Sequence, residues 1–301
     1  MNQAIHSLNL PRKKTKELRD AGYHYCKDMH SLKPTWPNLM ETLKAKTALE
    51  VFEEECRLGY LCTFVDSLDH ILKGGIPLGQ ITEFCGEPGS GKTQLCFQLC
   101  VCVQLPTWCG GLCGEAVYIS TNSNFARHRV KEIAEGVIKR YNKLKIKYTS
   151  KMQTFDELTV ESILEKISYI SAQDHIELLA VVAHVKEWLP SHPSVKVIVI
   201  DSICAPLQHA DNTKHIVCYQ VFEILQRLAV TYNFAIVVTN NITTRFEANN
   251  SFYQTASLGD SYYHRINNRI CLSKKNSSVF EAAVLKSAFT APSKVEFNLF
   301  P

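Results

Sequence analysis

The sequence contains one stretch of glycine, lysine and threonine whose spacing suits the binding of phosphate groups. It follows an apolar run that predicts a strand, Ile81–Cys85, and opens a predicted helix, Lys92–Gln104. Its residues, which we predict to bind ATP, are Gly86, Glu87, Pro88, Gly89, Ser90, Gly91, Lys92 and Thr93. Glycines let backbone N–H groups turn inward around phosphate oxygens, and the helix N-terminus adds its dipole. Lys92 is expected to contact the β- and γ-phosphates, and the Thr93 hydroxyl to ligate Mg²⁺.

A carboxylate at the end of a second apolar strand is the expected partner of this loop. Val195–Ile200 is a strand-like run, and Asp201 follows it directly. In P-loop NTPases such an aspartate holds Mg²⁺ on the side opposite the loop threonine, here through a water. An aspartate at a strand end can also cap the next element, and it is the upstream loop that favours the metal-binding interpretation.

Two asparagines stand two residues beyond other predicted strands. Asn122 follows Ala116–Ser120, and Asn241 follows Phe234–Thr239. Ligands of open α/β sheets bind outside the carboxyl ends of the strands, so both amides are expected to face the crevice that contains Lys92. The alternative for each asparagine is a local role in its own turn.

The composition indicates an ordinary globular protein. Of 301 residues, 46% are apolar and 21% are charged, which excludes disordered, collagen-like and coiled-coil chains. The apolar runs are too short to cross a bilayer, and the polar N-terminus carries no secretory signal, so we expect a soluble intracellular chain without a membrane partner. The net charge of +4 is compatible with a nucleic-acid partner but does not indicate one.

The 12 cysteines lie mostly in apolar stretches and do not form a C-x-x-C pair. Cys109 and Cys113 are the one pair that could form half of a metal site, and no second half is apparent. The spacing therefore favours reduced, mostly buried thiols.

Strand-like runs alternate with helical stretches from residue 60 onward. The predicted strands are Ile81–Cys85, Ala116–Ser120, Ile167–Ile170, Val195–Ile200, Phe234–Thr239 and Arg269–Leu272. The predicted helices are Lys92–Gln104, Arg127–Asn142, His175–Leu189 and His215–Tyr232. This alternation predicts an α/β fold with a mostly parallel sheet and helices on both faces, closed by an antiparallel pair, Val279–Leu285 and Lys294–Phe300.

Three regions are expected along the chain: a small helical N-terminal region over residues 1–36, a helical linker over 37–65 and the core over 66–301. Helices are predicted over Pro11–Asp20, Tyr25–Leu32 and Asn38–Arg57 in the first two regions.

Residues from about Lys46 to Pro301 resemble the RecA-type strand-exchange ATPases, specifically the eukaryotic recombinase and its paralogues. Among these, the paralogue lettered C is the most similar. Besides the phosphate loop, the likeness is carried by Ile71–Leu78, which reads Ile-Leu-Lys-Gly-Gly-Ile-Pro-Leu, and by Gly110–Val117, Val237–Asn240 and Leu258–Ser261.

The resemblance implies a RecA-like P-loop core that binds ATP and Mg²⁺. It also implies a nuclear protein of homologous-recombination DNA repair, mitotic or meiotic, that assembles with other recombinase paralogues on single-stranded or branched DNA. Filament-forming members tether their subunits through a Phe-x-x-Ala motif, and residues 38–65 contain none. Phe280–Ala283 fits that motif but lies in a predicted core strand.

Two residues depart from the family at positions of hydrolysis. Asn122 stands where the resemblance places a glutamate that activates water, and an amide cannot take a proton at neutral pH. Asn241 stands in place of the glutamine that senses the γ-phosphate and is one methylene shorter. The resemblance therefore implies ATP binding with weak hydrolysis and leaves enzymatic turnover open. The alternative is an active DNA-dependent ATPase and strand-exchange recombinase that forms its own filaments.

Other family positions fall on a helix and two loops. Arg129 occupies the place of an arginine that stacks on adenine, or it is a solvated helix residue. The DNA-facing loops correspond to Ala205–Thr213 and to Ile242–Ser257, which is predicted to be irregular. The second contains Arg245, Phe252 and Tyr253, which either contact phosphates and unpaired bases or pack against a neighbouring subunit.

One dense run of basic residues lies further along the chain, with two tyrosines interleaved. It consists of Lys139, Arg140, Lys143, Lys145, Lys147 and Lys151. The run either contacts phosphate or, as charge runs usually do, forms a solvated helix end and loop.

Overall fold

The computed structural model of the chain describes residues 12–25, 46–148, 157–208, 214–246 and 252–299. Its helices are α1 (Arg12–Asp20), α2 (Ala48–Leu58), α3 (Asp66–Ile71), α4 (Lys92–Cys102), α5 (Arg127–Tyr148), α6 (Val160–Glu165), α7 (His175–Trp188), α8 (Cys204–Leu207), α9 (Lys214–Tyr232) and α10 (Asp260–Tyr263). Its strands are β1 (Tyr60–Leu61), β2 (Ile76–Pro77), β3 (Ile81–Gly86), β4 (Glu115–Ser120), β5 (Ile167–Ser171), β6 (Val195–Asp201), β7 (Ala235–Phe246), β8 (Phe252–Ala256), β9 (Asn268–Lys274), β10 (Val279–Lys286) and β11 (Ser293–Asn298).

The chain groups into two compact units, Met1–Cys56 and Arg57–Pro301. In the first unit, α1 ends at Asp20 because Gly22 adopts a left-handed φ of +86°, and Tyr23 N–H donates to the carbonyl of Leu18 at 3.0 Å. The predicted boundaries near residues 36 and 65 stay predictions. The predicted helix Tyr25–Leu32 lies outside the described residues except for Tyr25, which is not helical.

The predicted helix Asn38–Arg57 is not one continuous helix, because residues 46–47 are not helical and α2 begins at Ala48. Thr47 caps it: the Thr47 hydroxyl accepts from the Glu50 N–H at 3.2 Å, and the Glu50 carboxylate accepts from the Thr47 N–H at 2.7 Å. This reciprocal pair satisfies free N–H groups at a helix N-terminus and sets where the helix starts. Residues 38–45 lie outside the description.

A nine-stranded sheet organises the second unit. Its main path runs β11-β10-β9-β3-β7-β6-β4-β5, and β8 pairs with β7 outside that path. The strands from β9 to β5 along this path pair in parallel, whereas β10 pairs antiparallel with both β9 and β11. The predicted parallel sheet and its closing antiparallel pair are therefore confirmed.

Helices cover both faces of the sheet because its central strands are apolar on both sides. Along β4, Tyr118 packs into a core with α4 and α5, whereas Val117 and Ile119 pack into a second core with α7 and α9. Alternate residues of a strand point to opposite faces, so a strand buried on both sides reads as a continuous apolar run. The expected α/β fold of RecA type is confirmed.

The helix that carries the basic run is longer than predicted, since α5 extends to Tyr148 without a break. Arg140 has a structural role within that run: its guanidinium donates to the Phe64 carbonyl at 2.8 Å, pairs with Asp66 and lies 4.7 Å from the Phe64 ring centroid. The run is therefore helical as far as Lys147, in the last turn of α5, and Lys151 lies outside the description.

Within the described residues, no helix combines the length and apolarity that a bilayer crossing requires. In the same part of the chain, no three His, Cys, Asp or Glu side chains converge as metal ligands. The cysteines described there are free thiols.

A buried ion pair joins two neighbouring strands of the sheet. Glu83 of β3 and Arg269 of β9 are register partners, and the Arg269 guanidinium donates to the Glu83 carboxylate. Glu83 is fully buried and the Arg269 side chain is only 6% exposed. The second Glu83 oxygen accepts from the Asn240 amide at 2.8 Å, so the carboxylate is compensated on both sides.

Replacing Arg269 by methionine should lower the free energy of unfolding by about 3–5 kcal/mol, because a buried carboxylate loses its counter-charge. Equilibrium urea denaturation measures the change. Arg227→Met is the matched control, since Arg227 is 61% exposed and pairs with Glu223 within one helix, where such a pair contributes about 0.3–0.5 kcal/mol. Equal losses in the two variants would contradict this account of the buried pair.

Candidate functional site

The phosphate loop joins the end of β3 to the start of α4, as predicted. Gly89 and Gly91 adopt left-handed φ values of +79° and +89°, which side-chain-bearing residues rarely adopt. Gly86 is required for a different reason: a Cβ added there would lie 2.2 Å from the Leu272 carbonyl oxygen of β9. The glycines of the motif therefore serve the backbone path of the loop.

Lys92 folds back over this loop. Its ammonium donates to the carbonyls of Gly86 at 2.8 Å and Glu87 at 2.9 Å, and it lies 3.5 Å from the Ser90 hydroxyl. Burial lowers the pKa of the Lys92 ammonium from its ordinary value, and the nearby charge of Asp201 opposes that shift. A buried cation whose hydrogen-bond acceptors are neutral oxygens is well suited to an anionic ligand such as a phosphate group.

Asp201 lies beside the first turn of α4 and accepts hydrogen bonds from three hydroxyl groups. One carboxylate oxygen accepts from Thr93 at 2.7 Å and from Tyr118 at 2.6 Å, and the other accepts from Thr239. The Asp201 side chain is buried, with 8% of the residue exposed. A carboxylate and a hydroxyl in contact form a set of hard oxygen donors, which fits Mg²⁺.

Tyr118 and Thr239 are site residues that the sequence analysis missed. Burial, and then the negative charge of Asp201, raise the pKa of the Tyr118 phenol, so this group stays protonated and donates. The available signal was a hydroxyl residue inside each apolar strand, Tyr118 in β4 and Thr239 in β7. Such residues are common in strands, and only the strand register brings these two to Asp201.

The carboxyl ends of β3, β6 and β4 and the middle of β7 form the edge of the site. Asn241 of β7 is the register partner of Gly86, and Ser120 of β4 is the register partner of Asp201. This arrangement follows from the parallel order β3-β7-β6-β4, which brings the ends of the strands to the same edge.

Asn122 lies next to the end of β6. Thr121 holds it there, because the Thr121 hydroxyl accepts from the Ser202 N–H at 2.7 Å and donates to the Ser202 carbonyl at 2.8 Å. The Asn122 amide is exposed and its nitrogen lies 3.4 Å from the Ser202 hydroxyl. Both predicted asparagines therefore lie at the carboxyl edge of the sheet, one beside Asp201 and one beside Gly86.

Ser257 closes the segment that follows Asn241. The Ser257 hydroxyl lies 2.8 Å from the carbonyl of Asn241 and 2.7 Å from the side-chain oxygen of Asn240. The Asn240 amide also donates to Glu83 at 2.8 Å, so the middle of β7 is tied to the buried ion pair.

Arg129 lies close to the first turn of α4. Its guanidinium donates to Glu132 at 2.7 Å and contacts the Gln94 side chain at 3.3 Å. The nearby Phe125 ring packs against Phe97 and Tyr118, which places this segment beside α4 and β4. Adenine stacking by Arg129 stays a prediction.

The segment Ile242–Ser257 was expected to be irregular, and that expectation is wrong. β7 continues to Phe246 and pairs antiparallel with β8, with Arg245 opposite Tyr253 and Phe246 opposite Phe252. The reason is local, because both arms are rich in β-branched and aromatic residues that favour strands. Residues 247–251 and the side chains of Arg245, Phe252 and Tyr253 lie outside the description, and their contact with DNA stays a prediction.

The chain matches the profile of a known family, described as Rad51, over residues 56–299. The chain belongs to the Rad51 family. DNA repair protein RAD51 homolog 3 of Cricetulus griseus is 35% identical over 263 residues, which cover 86% of this chain and 71% of that protein. The protein of the same name from Dictyostelium discoideum is 32% identical over 247 residues, which cover 79% of this chain and 65% of that protein.

The Rad51 match coincides almost residue for residue with the second compact unit, Arg57–Pro301. It confirms the kinship with the eukaryotic recombinase family that the sequence motifs indicated. The unit that matches the Rad51 family therefore contains the phosphate loop, the Asp201 carboxylate and both asparagines.

Replacing Tyr118 by phenylalanine should lower the free energy of unfolding of this Rad51-family unit by about 1–3 kcal/mol, because a buried carboxylate loses one of its donors. Urea denaturation of the full chain measures the change. Tyr169→Phe is the control, since Tyr169 is 44% exposed and also packs on Phe125. If both variants are as stable as the parent, the Tyr118 hydroxyl does not stabilise Asp201.

Proposed function

We propose that this protein is an ATP-binding Rad51 paralogue of homologous-recombination DNA repair that hydrolyses ATP weakly. The observation that carries the proposal is a contrast at one sheet edge. Lys92, Thr93 and Asp201 are arranged to bind phosphate and Mg²⁺, whereas Asn122 stands where the family resemblance places a catalytic glutamate.

The phosphate side of the site is built from this chain's own groups. The Lys92 ammonium would exchange its carbonyl partners for phosphate oxygens, and the N–H groups of the loop would add to that contact. Thr93 and Asp201 would hold Mg²⁺, which neutralises phosphate charge when it is bound. Arg129 is the candidate to stack on the adenine.

On the hydrolytic side of the proposed site, an amide stands where the family resemblance places a base. The Asn122 amide is exposed beside the Ser202 hydroxyl, and it can orient a water but cannot take its proton. Asn241 is shorter than the glutamine expected at a γ-phosphate sensor, and phosphoryl transfer depends on positioning at the level of about 1 Å. Both asparagines replace residues that the family uses in hydrolysis, whereas Lys92 and Thr93 match the phosphate-binding motif.

The similarity to proteins named RAD51 homolog 3 supports assigning the chain to the paralogue lettered C. We propose that it works in the nucleus, in mitotic or meiotic cells, within a hetero-oligomer of recombinase paralogues on single-stranded or branched DNA. The surroundings of Phe280–Ala283 support hetero-oligomers over self-made filaments. That segment lies in β10 with strands paired on both sides, and Phe280 is only 8% exposed, so it is not available as a tether.

The second candidate function is an active DNA-dependent ATPase and strand-exchange recombinase that forms its own filaments. The β7–β8 hairpin favours it, because this hairpin extends directly from the sheet edge that carries Asn241 and contains Arg245, Phe252 and Tyr253. Basic and aromatic residues on such an element suit contact with unpaired DNA.

Replacing Lys92 by alanine should weaken the binding of Mg²⁺ and a non-hydrolysable ATP analogue about 10- to 100-fold, because a charged donor to phosphate is lost. Titration with a fluorescent analogue measures the affinity. Lys131→Ala is the matched control, since Lys131 is exposed on α5 and pairs only loosely with Glu135 at 4.0 Å. Equal affinities of parent and Lys92→Ala would refute the nucleotide site.

The purified chain should release phosphate from ATP at close to the rate of buffer alone, even with single-stranded DNA, because loss of a general base costs about 10²- to 10⁴-fold. Asn122→Glu should raise that rate. A phosphate-release assay measures it on the isolated chain and on the chain reconstituted with its partner paralogues, since a partner can supply a base or an arginine across the interface. Robust DNA-stimulated hydrolysis by the isolated parent, abolished in Lys92→Ala, would instead establish the second candidate function.

A further inference from the structure

Two cysteines face each other across the strands that support the phosphate loop. Cys85 of β3 and Cys271 of β9 are register partners in the parallel pairing of these strands. The Cys85 thiol is buried, whereas Cys271 is partly exposed. Neither thiol has a role in the proposed nucleotide site.

The buried ion pair fixes the opposition of the two thiols. Glu83 and Arg269 are register partners two residues earlier on the same strands, and they project to the same face as Cys85 and Cys271 because side chains alternate along a strand. A slip of either strand would separate the Glu83 carboxylate from the Arg269 guanidinium, which is costly in the interior. The thiols are therefore held opposite each other in the folded protein.

The backbone geometry permits a covalent bond between the two sulfurs. Neighbouring strands lie about 4.8 Å apart, which falls within the range of about 4.4–6.8 Å between Cα atoms in disulfides. On the neighbouring strand β10, the register partner of Cys271 is Ala283, which has a small side chain. The adjacent Cys85 thiol lowers the pKa of Cys271, so the more accessible sulfur has the greater thiolate character.

We propose that Cys85 and Cys271 form a reversible redox site that controls the phosphate loop. Its effect on nucleotide binding rests on the function proposed above. The oxidant is a low-molecular-weight disulfide. The Cys271 thiolate attacks one sulfur of the oxidant and releases one thiol. The Cys85 sulfur then displaces the second thiol from Cys271, passing its proton to the leaving group, so that two protein thiols and one disulfide give one protein disulfide and two small thiols.

The site acts on nucleotide binding through the residue next to Cys85. Disulfide formation draws the sulfurs together to about 2.05 Å. At Gly86 the two strands are tightly packed, since a Cβ added there would lie 2.2 Å from the Leu272 carbonyl oxygen. The carbonyl of Gly86 also accepts from Lys92 at 2.8 Å, so a shift of this residue displaces the contact that orients the lysine. Oxidation is thus expected to weaken nucleotide binding.

The full chain is treated with oxidised glutathione, and its disulfides are mapped by mass spectrometry of unreduced peptides. The same samples are then titrated with Mg²⁺ and a fluorescent non-hydrolysable ATP analogue. We expect a Cys85–Cys271 peptide pair and a loss of affinity of about tenfold, the size expected for local backbone strain, with both reversed by dithiothreitol. Cys271→Ser and Cys271→Ala should bind the nucleotide like the reduced parent and should not respond to the oxidant. Cys113→Ser, which removes an exposed thiol, should respond as the parent does.

The possible failures are distinguishable. If glutathione modifies Cys113 but yields no Cys85–Cys271 pair, the redox site is refuted. The link to the phosphate loop is refuted if the pair forms without loss of affinity, or if both Cys271 variants lose affinity on oxidation as the parent does. A reduced parent that binds no nucleotide would contradict the proposed function, while the disulfide map would still decide whether the two thiols form a bond.

Discussion

The Asp201 carboxylate is the interaction on which the rest of the site depends. It is buried at the end of β6, and its three hydroxyl donors come from three other elements: Thr93 from α4, Tyr118 from β4 and Thr239 from β7. A buried carboxylate must be compensated, so these elements are drawn to one point by the cost of leaving it unpaired. The start of the phosphate-loop helix is thereby tied to three adjacent strands, and the oxygens proposed to bind Mg²⁺ lie at the same point.

The residues proposed to bind phosphate and those proposed to act in hydrolysis have different structural support. Lys92, Thr93 and Asp201 are held by hydrogen bonds inside the fold. Asn122, by contrast, is an exposed residue whose one described contact is the Ser202 hydroxyl. A substitution at Asn122 would therefore leave the contacts of the phosphate loop in place.

The two central strands β3 and β9 carry a second set of constraints behind the loop. The Glu83–Arg269 pair sets the register of these strands, and that register places Cys85 opposite Cys271. Gly86 has no side chain and so lets the two backbones lie close together. Asn240, in the middle of β7, donates to the same Glu83 and accepts from Ser257 after the β7–β8 hairpin. The buried pair is therefore linked by hydrogen bonds to the strand that continues into the hairpin.

The sequence by itself determined the phosphate loop, the succession of strands and helices along the core, and the aspartate that follows β6. Each of these depends on local spacing and on the alternation of apolar runs. It also located Asn122 and Asn241 at the carboxyl edge, since parallel strands end on one side. Only the tertiary structure decided that Tyr118, Thr239 and Thr93 share one carboxylate, that β7 runs on into a hairpin, and that Cys85 meets Cys271. These features depend on the register between strands far apart in the chain, and that register is set by contacts such as Glu83 with Arg269, which no local pattern records.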